Sequence, residues 1–390
     1  MVFAISLLYH CSEPVDFQSS DFESLLVIEG LITDEMKYQS VRATRTVPID
    51  SDEENVVTGA TVKVSIDNEV EISFFLNDST GTYLSEQPFA GEIGKIYQLM
   101  VTTADGQQYF SQPVEMLPTP SIDSIYALFE PQPDPLNSGA GNFSFYLATG
   151  SDEIPSRFYR WTWTSAFELS VPLPSRFLWT GGNTFISRER GGENDDLQVE
   201  ICWQMDTSSQ ILLTQTPTAA TTVPQQPLTS FPSSSRAMRR AFGLEVKQYT
   251  LSQESFEYWN LIAQISQGQG TLFDRQAGTV VGNIRNVEDS TATILGIFEA
   301  AQEVVTTRIF RPLEFTDMGF RRNGSHIVDC EDIEPETTDV DEIGLFMEQN
   351  QEAFTLCCFI TEPPTAVYVI KGCSDCTQFG QNHPPDFWIN

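Results

Sequence analysis

The sequence predicts a mainly β protein, in which an Ig-like or transthyretin-like β-sandwich is followed by a larger β-rich domain with one inserted α-helix. Three observations support this fold class. The chain has 390 residues, which exceeds one typical domain. Its first third consists of short runs of β-branched and aromatic residues, separated by Asp, Asn, Gly and Ser. A clear helical repeat of apolar residues is found near residues 252–266.

The β-sandwich is predicted to span residues 24–117. Its strand candidates are residues 25–33, 38–47, 60–66, 71–77, 81–84, 96–103 and 107–114. The Ala-Asp-Gly sequence at 104–106 predicts a type I′ hairpin turn, because Asp-Gly tolerates the positive φ angles that this turn requires. The prolines of residues 117–120 cannot join a central strand, so a linker is expected there.

The second domain is predicted to span residues 121–390. Ser252 is the expected N-cap of its helix. The apolar stripe of the helix consists of Tyr258, Leu261, Ile262 and Ile265. Residues 207–235 are rich in Thr, Ser, Pro and Gln, and such a composition does not bury enough apolar surface to offset the entropy of ordering. We therefore expect a long exposed loop over residues 207–235.

Three aromatic residues in this domain are candidates for ligand contact. Tyr159, Trp161 and Trp163 alternate along one predicted strand, which places them on the same face. This face could form a platform for a sugar or a peptide. A core face is favoured, because large aromatic side chains are usually buried.

Acidic residues dominate the composition, with 54 Asp and Glu against 21 Lys and Arg and a formal net charge of −33. Nucleic-acid binding is excluded, because it depends on neutralising phosphates with basic residues. Adhesion to an anionic bilayer through surface charge is excluded on the same ground. The densest basic cluster consists of Arg236, Arg239 and Arg240. It could meet an acidic partner, although a solvated helix face is the favoured interpretation.

The N-terminal residues resemble the end of a bacterial lipoprotein signal. Residues 1–10 are mostly apolar and precede Cys11, and residues 11–23 form a polar tether. We expect residues 1–10 to be a signal-peptide remnant and Cys11 to be the acylated anchor to a membrane. Tyr9 and His10 depart from the small residues preferred before the acylated cysteine, and no basic segment precedes them. The alternative is an N-terminal strand with an ordinary cysteine.

Six further cysteines are expected to form disulfides in an oxidising compartment. They are Cys202, Cys330, Cys357, Cys358, Cys373 and Cys376. Adjacent residues of a strand point to opposite faces. Cys357 and Cys358 are therefore predicted to pair with Cys373 and Cys376 across one hairpin, which leaves Cys202 with Cys330. Six cysteines allow 15 connectivities, so other pairings stay open.

The sequence contains no recognisable catalytic motif, and we expect a protein without enzymatic activity. Its histidines are isolated, and neither a nucleophile elbow nor a zinc-protease motif is present. Carboxylate pairs are too numerous to locate or exclude a glycosidase dyad. Acidic clusters at 50–54, 67–69 and 194–196 could bind calcium. Solvated turns are the favoured interpretation of these clusters, so no cofactor is expected.

Several segments together resemble one protein family. They are residues 11–17 (CSEPVDF), 26–34 (LVIEGLITD), 251–252 (LS), 258–259 (YW), 270–274 (GTLFD), 282–284 (GNI), 295–298 (LGIF), 373–376 (CSDC) and 385–388 (PDFW). As a set they resemble a Bacteroidota lipoprotein family known as a domain of unknown function, number four-two-four-nine. The closing signature at 373–388 is the most specific part of the resemblance.

The resemblance implies an outer-membrane lipoprotein whose gene lies beside a SusC-like TonB-dependent transporter, and it implies no known catalysis. Acidic residues soon after Cys11 resemble surface-export signals, which favours the cell surface over the periplasmic face. We therefore expect a non-catalytic binding or accessory subunit of a TonB-dependent nutrient transporter. The alternatives are a surface hydrolase that uses carboxylates and a structural or adhesive surface protein that self-associates.

Overall fold

The computed structural model describes residues 22–48, 51, 54–132, 140–150, 157–188, 191–217, 222–266, 280–322, 330, 339–361 and 364–389. The predicted signal remnant and Cys11 lie outside the described residues. The described chain is mainly β, as predicted. Among the described residues, every helix is too short or too polar to span a membrane.

Twenty-four strands are described. They are β1 (Leu26–Thr33), β2 (Ser40–Arg45), β3 (Asn55–Val56), β4 (Thr61–Ile66), β5 (Val70–Asn77), β6 (Thr82–Ser85), β7 (Ile96–Thr102), β8 (Gln108–Ser111), β9 (Val114–Glu115), β10 (Ile122–Pro131), β11 (Gly141–Gly150), β12 (Phe158–Ser170), β13 (Phe177–Gly181), β14 (Thr184–Ser187), β15 (Ile201–Thr207), β16 (Leu212–Gln215), β17 (Thr222–Pro232), β18 (Phe242–Thr250), β19 (Ile284–Asn286), β20 (Ile294–Leu295), β21 (Phe298–Ala301), β22 (Glu303–Phe310), β23 (Phe354–Thr361) and β24 (Pro364–Ile370).

The helices are fewer than the strands. The α-helices are α1 (Gln253–Ser266), α2 (Val340–Asn350), α3 (Lys371–Ser374) and α4 (Asp386–Ile389). Short 3-10 helices lie at Asp195–Leu197, Arg236–Met238, Pro312–Met318 and Cys376–Gln378. The sequence predicted α1 but not α2.

The first sheet is built mostly from the predicted sandwich region. Its strand order is β19-β8-β7-β4-β5-β6-β2-β1-β20, with β3 on β2, β9 on β7 and β21 on β1. Neighbouring strands are antiparallel, except that β20 and β21 run parallel to β1. The strands at residues 284–301 therefore complete this sheet, although the predicted boundary at residue 117 left them out.

One apolar core lies inside this sheet. Ile28 and Ile32 of β1 share the core with Leu99 and Val101 of β7, although these strands lie far apart in the strand order. All four side chains are at most 1% exposed. Because distant parts of one sheet face the same core, the sheet folds over itself in the manner of the predicted sandwich.

The tight turns of this sheet differ from the prediction. Asp67 and Asn68, between β4 and β5, have φ angles of 51° and 59°, which is the backbone of a type I′ turn. At residues 104–106 only Gly106 has a positive φ, of 87°, and its N–H donates to the Thr103 carbonyl over 2.8 Å. The predicted type I′ turn at 104–106 is therefore wrong, because a type I turn followed by a left-handed glycine connects β7 to β8.

Asp67 belongs to the acidic cluster at 67–69 that was considered for calcium binding, and its contacts give it a structural role. Its carboxylate accepts a hydrogen bond from Lys95 Nζ over 2.8 Å and another from the Ile96 N–H over 2.9 Å. These two donors hold the pKa of Asp67 below its ordinary value. The carboxylate therefore serves the turn and its neighbouring strand.

The second region contains two larger sheets. One has the order β10-β11-β17, and the other has the order β15-β12-β18-β22 with β16 also on β12. Between them lies a cluster of seven buried phenylalanines: Phe129, Phe143, Phe145, Phe242, Phe310, Phe315 and Phe320. Ring centroids in this cluster approach to 4.7 Å, between Phe145 and Phe242. This aromatic core joins the two sheets.

The predicted long loop at residues 207–235 is wrong, because it contains β16 and β17. Strand β17 pairs along most of β11 and buries Val223, Gln226 and Leu228. Its prolines are tolerated because β17 lies at the edge of its sheet, where a missing N–H costs little.

Helix α1 begins as predicted but packs differently. The Ser255 N–H donates to Ser252 Oγ over 3.1 Å, which is the expected cap. Trp259, with Phe256, packs against a small core that includes Leu251. In contrast, Leu261 of the predicted apolar stripe is 37% exposed. The core-facing side of α1 is therefore rotated away from the predicted stripe.

Two disulfides join the C-terminal segments to the second region. Cys202 pairs with Cys376, and Cys330 pairs with Cys373. The predicted pairing is therefore wrong. It joined Cys202 to Cys330, and it joined Cys373 and Cys376 to Cys357 and Cys358. The short α3 and the following 3-10 helix turn the chain away from the β23–β24 hairpin, so Cys376 lies beside β15 instead.

The predicted linker at 117–120 is tightly held between the two regions. The Thr119 N–H donates to Gln302 Oε1 over 2.8 Å, and Thr119 Oγ1 donates to the Gln302 carbonyl over 2.9 Å. Gln248 Nε2 donates to the Pro120 carbonyl over 2.7 Å. The Glu303 N–H donates to Asp34 Oδ1 over 2.8 Å. These bonds fix the sandwich against the second region.

Candidate functional site

Tyr159, Trp161 and Trp163 share one face of β12 but lie in different environments. Tyr159 and Trp161 are fully buried in the aromatic core, which confirms the favoured interpretation for both. Trp161 Nε1 donates to Gln248 Oε1 over 2.8 Å. Trp163 is half-buried and lines a cleft of about 430 Å³ between the two sheets of the second region. We call this recess the Trp163 cleft.

The Trp163 cleft is lined mainly by polar groups beside aromatic rings. Its lining residues are Ser144, Phe145, Tyr146, Trp163, Asp206, Thr207, Ser209, Gln210, Leu212, Pro227, Leu228, Thr229 and Ser230. Its volume is within the range of small-ligand sites, which is about 300–1,000 Å³. Hydroxyl and amide groups can exchange hydrogen bonds with a polar ligand while the rings pack against its apolar faces.

The indole of Trp163 is fixed in place by bonds from two sides. Its Nε1 donates to the Leu228 carbonyl on β17 over 3.1 Å. Its backbone N–H donates to Ser208 Oγ over 3.1 Å, and the Ser208 N–H donates to the Trp163 carbonyl over 2.8 Å. The ring therefore needs little reorganisation to receive a ligand.

A β-bulge shapes the opposite wall. The pairing of β11 with β17 shifts register between Phe145 and Tyr146, and such bulges re-aim side chains next to functional sites. Tyr146 stacks on Tyr126, with centroids 5.6 Å apart and planes at 25°. This stack positions the Tyr146 ring at the cleft, while Phe145 is buried in the core beneath.

Asp206 is the single carboxylate among the residues that line the Trp163 cleft. It is exposed at the end of β15, where it can accept hydrogen bonds from ligand hydroxyl groups. Glycoside hydrolysis normally uses two carboxylates on either side of the scissile bond. The lining of this cleft therefore suits binding better than hydrolysis.

A second recess, of about 350 Å³, lies where the sandwich meets the second region. We call it the junction recess. Glu29, Ser40 and Arg42 line its sandwich side, and Arg160 and Trp259 line the other. Glu299, on β21, also contributes to its wall.

A buried ion pair closes one side of the junction recess. Arg160 Nη2 lies 3.1 Å from Glu299 Oε2, and the two side chains are 12% and 5% exposed. Trp259 Nε1 donates to the same oxygen over 3.0 Å. The guanidinium lies 4.6 Å from the Trp259 ring centroid and 4.9 Å from that of Tyr249. The pair thus links strands of both regions to α1.

The carboxylates around this recess also influence Tyr258 on α1. Burial raises the pKa of Tyr258 to about 12, and the charges of Glu29 and Glu299 add to the effect. Tyr258 therefore stays protonated near neutral pH and can act as a hydrogen-bond donor.

The model of one protein family matches residues 12–307 of this chain, and its description is "Domain of unknown function (DUF4249)". The match covers well over half of the chain. The chain belongs to this family. No curated protein matches it in sequence.

The region matched to the DUF4249 family includes both recesses. It contains the whole sandwich and every residue that lines the Trp163 cleft and the junction recess. It ends within β22, so the disulfide partners Cys330, Cys373 and Cys376 lie beyond it.

One solved structure that resembles the DUF4249 chain is described as "Crystal structure of Putative membrane anchored protein from Corynebacterium diphtheriae". The likeness covers 60% of this chain and 56% of that one, at 12% sequence identity and a TM-score of 0.15. A TM-score this low supports no conclusion about fold or function.

The arginines of the predicted basic cluster do not lie on a helix face. Arg236 begins a single 3-10 turn, and its guanidinium lies 5.8 Å from the Phe379 ring centroid. The Arg239 carbonyl accepts a hydrogen bond from Arg322 over 3.4 Å. Arg240 Nε lies 2.5 Å from Glu168 Oε1. The solvated-helix interpretation is therefore wrong, since Arg240 is half-buried and ion-paired.

Sequence reasoning missed most residues of both recesses. Asp206 and Tyr146 have no local motif, because they approach Trp163 only through strand pairing. Arg160 carried one signal, a charge between Tyr159 and Trp161 in a strand with an apolar face. No group of three or more His, Cys, Asp or Glu within the described parts of the chain is arranged to hold a metal ion.

Proposed function

We propose that this DUF4249 protein is a lipoprotein of the Bacteroidota outer membrane, anchored through Cys11 and displayed at the cell surface. It binds a nutrient without breaking it down and serves as an accessory subunit of a SusC-like TonB-dependent transporter. The position of Cys11 after a mostly apolar segment supports the anchoring, and the transporter partner is what the resemblance described above implies. The Trp163 cleft supports the binding activity.

The observation that carries the binding proposal is a fixed indole beside a polar wall. Trp163 is held by hydrogen bonds on both sides, and Tyr146 is held by its stack on Tyr126. Between them lie hydroxyl and amide groups and the carboxylate of Asp206. Sugars offer both apolar C–H faces and hydroxyl groups, so an oligosaccharide matches this combination better than an apolar ligand does.

The ligand proposal can be tested on a glycan array. The soluble chain from residue 22 onwards is applied as wild type and as the Asp206→Asn variant, which removes one exposed carboxylate from the cleft. The control is Asp123→Asn, which removes an exposed charge from β10 away from the cleft. We expect Asp206→Asn to weaken binding about tenfold, as for loss of a charge-assisted hydrogen bond. Equal binding by all three proteins would place the glycan away from Asp206 and the Trp163 cleft, and binding by none would count against an oligosaccharide.

The partner proposal needs the native membrane. The acylated protein is extracted in mild detergent and purified from its own outer membrane, and the copurifying proteins are identified by mass spectrometry. A stoichiometric TonB-dependent transporter is the expected result. Recovery of the protein alone, or only with itself, would refute the accessory role and favour the self-associating alternative.

A surface hydrolase that uses carboxylates is the second candidate, and the junction recess is the observation that favours it. Glu29 and Glu299 both line this recess, so it holds a pair of carboxylates, whereas the Trp163 cleft has Asp206 alone. The same glycans can be assayed for released reducing ends. Turnover that is lost in Glu29→Gln and retained in Asp206→Asn would establish the hydrolase instead.

A further inference from the structure

A third recess, of about 410 Å³, gathers arginines from two separate segments of the chain. Arg240 follows the 3-10 turn at Arg236–Met238, whereas Arg311, Arg321 and Arg322 flank the 3-10 helix at Pro312–Met318. We call this recess the arginine cleft. Its single acidic lining residue is Glu168.

The charge of the arginine cleft is opposite to that of the protein. The chain has 21 basic residues and a formal net charge of −33, yet four of its arginines line one recess. Glu168 is already engaged by Arg240 at 2.5 Å. Within the described parts of the chain, the guanidinium groups of Arg311, Arg321 and Arg322 form no ion pair, although the Arg311 backbone N–H donates to Glu314 Oε1 over 2.8 Å.

The guanidinium groups of Arg311, Arg321 and Arg322 line one recess without an ion pair to a described carboxylate, and like charges at an exposed surface repel one another weakly through solvent. In an acidic chain, carboxylates to neutralise them would be easy to supply. An anion that enters the cleft would remove the repulsion and form charge-assisted hydrogen bonds. An anionic ligand therefore gives these arginines a role that the ion pairs of the described residues do not.

Backbone contacts hold the arginine cleft in shape. Gly319, with φ of 95°, ends the 3-10 helix and returns Phe320 to the buried core. The next residue, Arg321, donates from Nη1 to the Thr316 and Phe320 carbonyls over 3.3 and 3.1 Å. Arg322 Nη1 donates to the Arg239 carbonyl over 3.4 Å, which joins the two segments.

The cleft also has an apolar side. Leu313 is 84% exposed and lies beside the arginines. Pro312, Ala241 and Phe320 line the recess with it. A small inorganic anion would leave this surface uncovered, whereas a ligand with an apolar body would cover it.

We propose that the arginine cleft binds a small amphiphilic anion, in which a phosphate or carboxylate group is attached to an apolar body. The anionic group is held by Arg311, Arg321 and Arg322, and the apolar body lies against Leu313 and Phe320. This site is separate from the Trp163 cleft and does not rest on the function proposed for it. A free molecule fits better than a lipid within an anionic bilayer, because the acidic surface of the protein opposes approach to such a bilayer.

Isothermal titration with monooctyl phosphate tests the proposal, using the soluble chain from residue 22 onwards. The site variant is Arg311→Gln with Arg322→Gln, which leaves the carbonyl bonds of Arg321 intact. The control is Lys37→Gln with Lys63→Gln, which removes two charges from exposed ion pairs in the sandwich. We expect one site per chain, a loss of at least about tenfold in affinity in the site variant, and no loss in the control.

Three comparisons decide the ligand chemistry. Inorganic phosphate and neutral octyl glucoside should each bind more weakly than octyl phosphate. Equal affinity for octyl glucoside would overturn the role of the arginines. Equal affinity for inorganic phosphate would overturn the contact between an apolar body and Leu313 and Phe320. Cosedimentation with phosphatidylglycerol vesicles that the site variant abolishes would replace the free ligand by a membrane surface.

Thermal unfolding without ligand separates a binding role from a structural one. Because Arg311 and Arg322 are exposed and the site variant loses only the 3.4 Å bond from Arg322 to the Arg239 carbonyl, we expect its melting temperature to be close to that of the control. A melting temperature clearly below that of the control, together with unchanged binding of octyl phosphate, would make these arginines structural and overturn the proposal.

Discussion

The charged side chain of Glu299 is buried, and burying a charge costs free energy. Its side chain is 5% exposed, and its Oε1 accepts no hydrogen bond from the described residues. Its Oε2 accepts hydrogen bonds from both Arg160 Nη2 and Trp259 Nε1. A buried ion pair gains little over apolar packing, but removing one partner leaves the other charge buried and alone.

Removing one partner of the Arg160–Glu299 pair is therefore expected to destabilise the protein. Glu299→Gln is expected to lower the free energy of unfolding by about 3–5 kcal/mol, because Arg160 would remain buried without a counter-charge. Urea unfolding at neutral pH measures the change. The control is Glu71→Gln, which breaks the exposed pair with Lys63 at 2.8 Å and should cost about 0–1 kcal/mol. Similar losses in both variants would mean that the buried pair has no special role in joining the two regions.

Residue identity alone could not separate Trp163 from its neighbours on β12. Tyr159, Trp161 and Trp163 follow the same alternation in sequence, which correctly places them on one face. Burial differs because Tyr159 and Trp161 lie under the aromatic core, while Trp163 meets β17 near the opening between two sheets. That difference depends on the position of β17, which local sequence does not encode.

At the scale of elements, the start of α1 has a clear local cause. Ser252 accepts the Ser255 N–H over 3.1 Å and thus satisfies one of the free donors of the first turn. Ser252→Ala should lower the free energy of unfolding by about 1 kcal/mol. Urea unfolding again provides the measurement. Ser266→Ala is the matched control, since Ser266 is exposed at the last position of the helix. A loss in the control as large as in Ser252→Ala would mean that the cap is not the cause.

Local pattern predicted those elements whose partners are close in sequence. Strands β1, β2 and β4 to β8 agree with their predicted ranges to within a few residues, because alternation and turn residues are both local signals, whereas the two-residue β3 was not predicted. Strand β17 was missed because its segment is rich in Thr, Ser, Pro and Gln, a composition that predicts an exposed loop, and its prolines are harmless because it lies at the edge beside β11. Helix α1 was found, but the side that packs is set by neighbours distant in sequence, such as Ala301 and Leu31.

At the scale of the whole molecule, the chain returns to its first sheet after the second region has been built. Strands β20 and β21 run parallel to β1, and β19 pairs with β8. These pairings connect residues near 290 with residues near 30 and 110, so no local sequence signal could reveal them. The predicted separation into consecutive domains therefore missed the segment that joins both regions. The Arg160–Glu299 pair lies at this same crossing.

The Cys202–Cys376 disulfide acts at this largest scale. It joins residues 174 positions apart, whereas the Cys330–Cys373 disulfide joins residues 43 positions apart. A crosslink restricts the unfolded chain more when it closes a longer loop. Replacing Cys202 and Cys376 together by Ala should therefore lower the free energy of unfolding by about 5 kcal/mol, and replacing Cys330 and Cys373 by about 1 kcal/mol less.

Urea unfolding of the two double variants measures this difference, and peptide mapping under non-reducing conditions verifies the pairs on which it depends. Both Cys202 and Cys376 are fully buried, so their replacement also leaves a cavity that adds to the loss. Peptides that link Cys376 to Cys357 or Cys358 would contradict the observed pairing and restore the one inferred from strand geometry. If the map agrees but the shorter crosslink proves the more stabilising, loop closure cannot be the dominant effect, and the C-terminal segments would have to stabilise the fold mainly through their packing against β15 and β23.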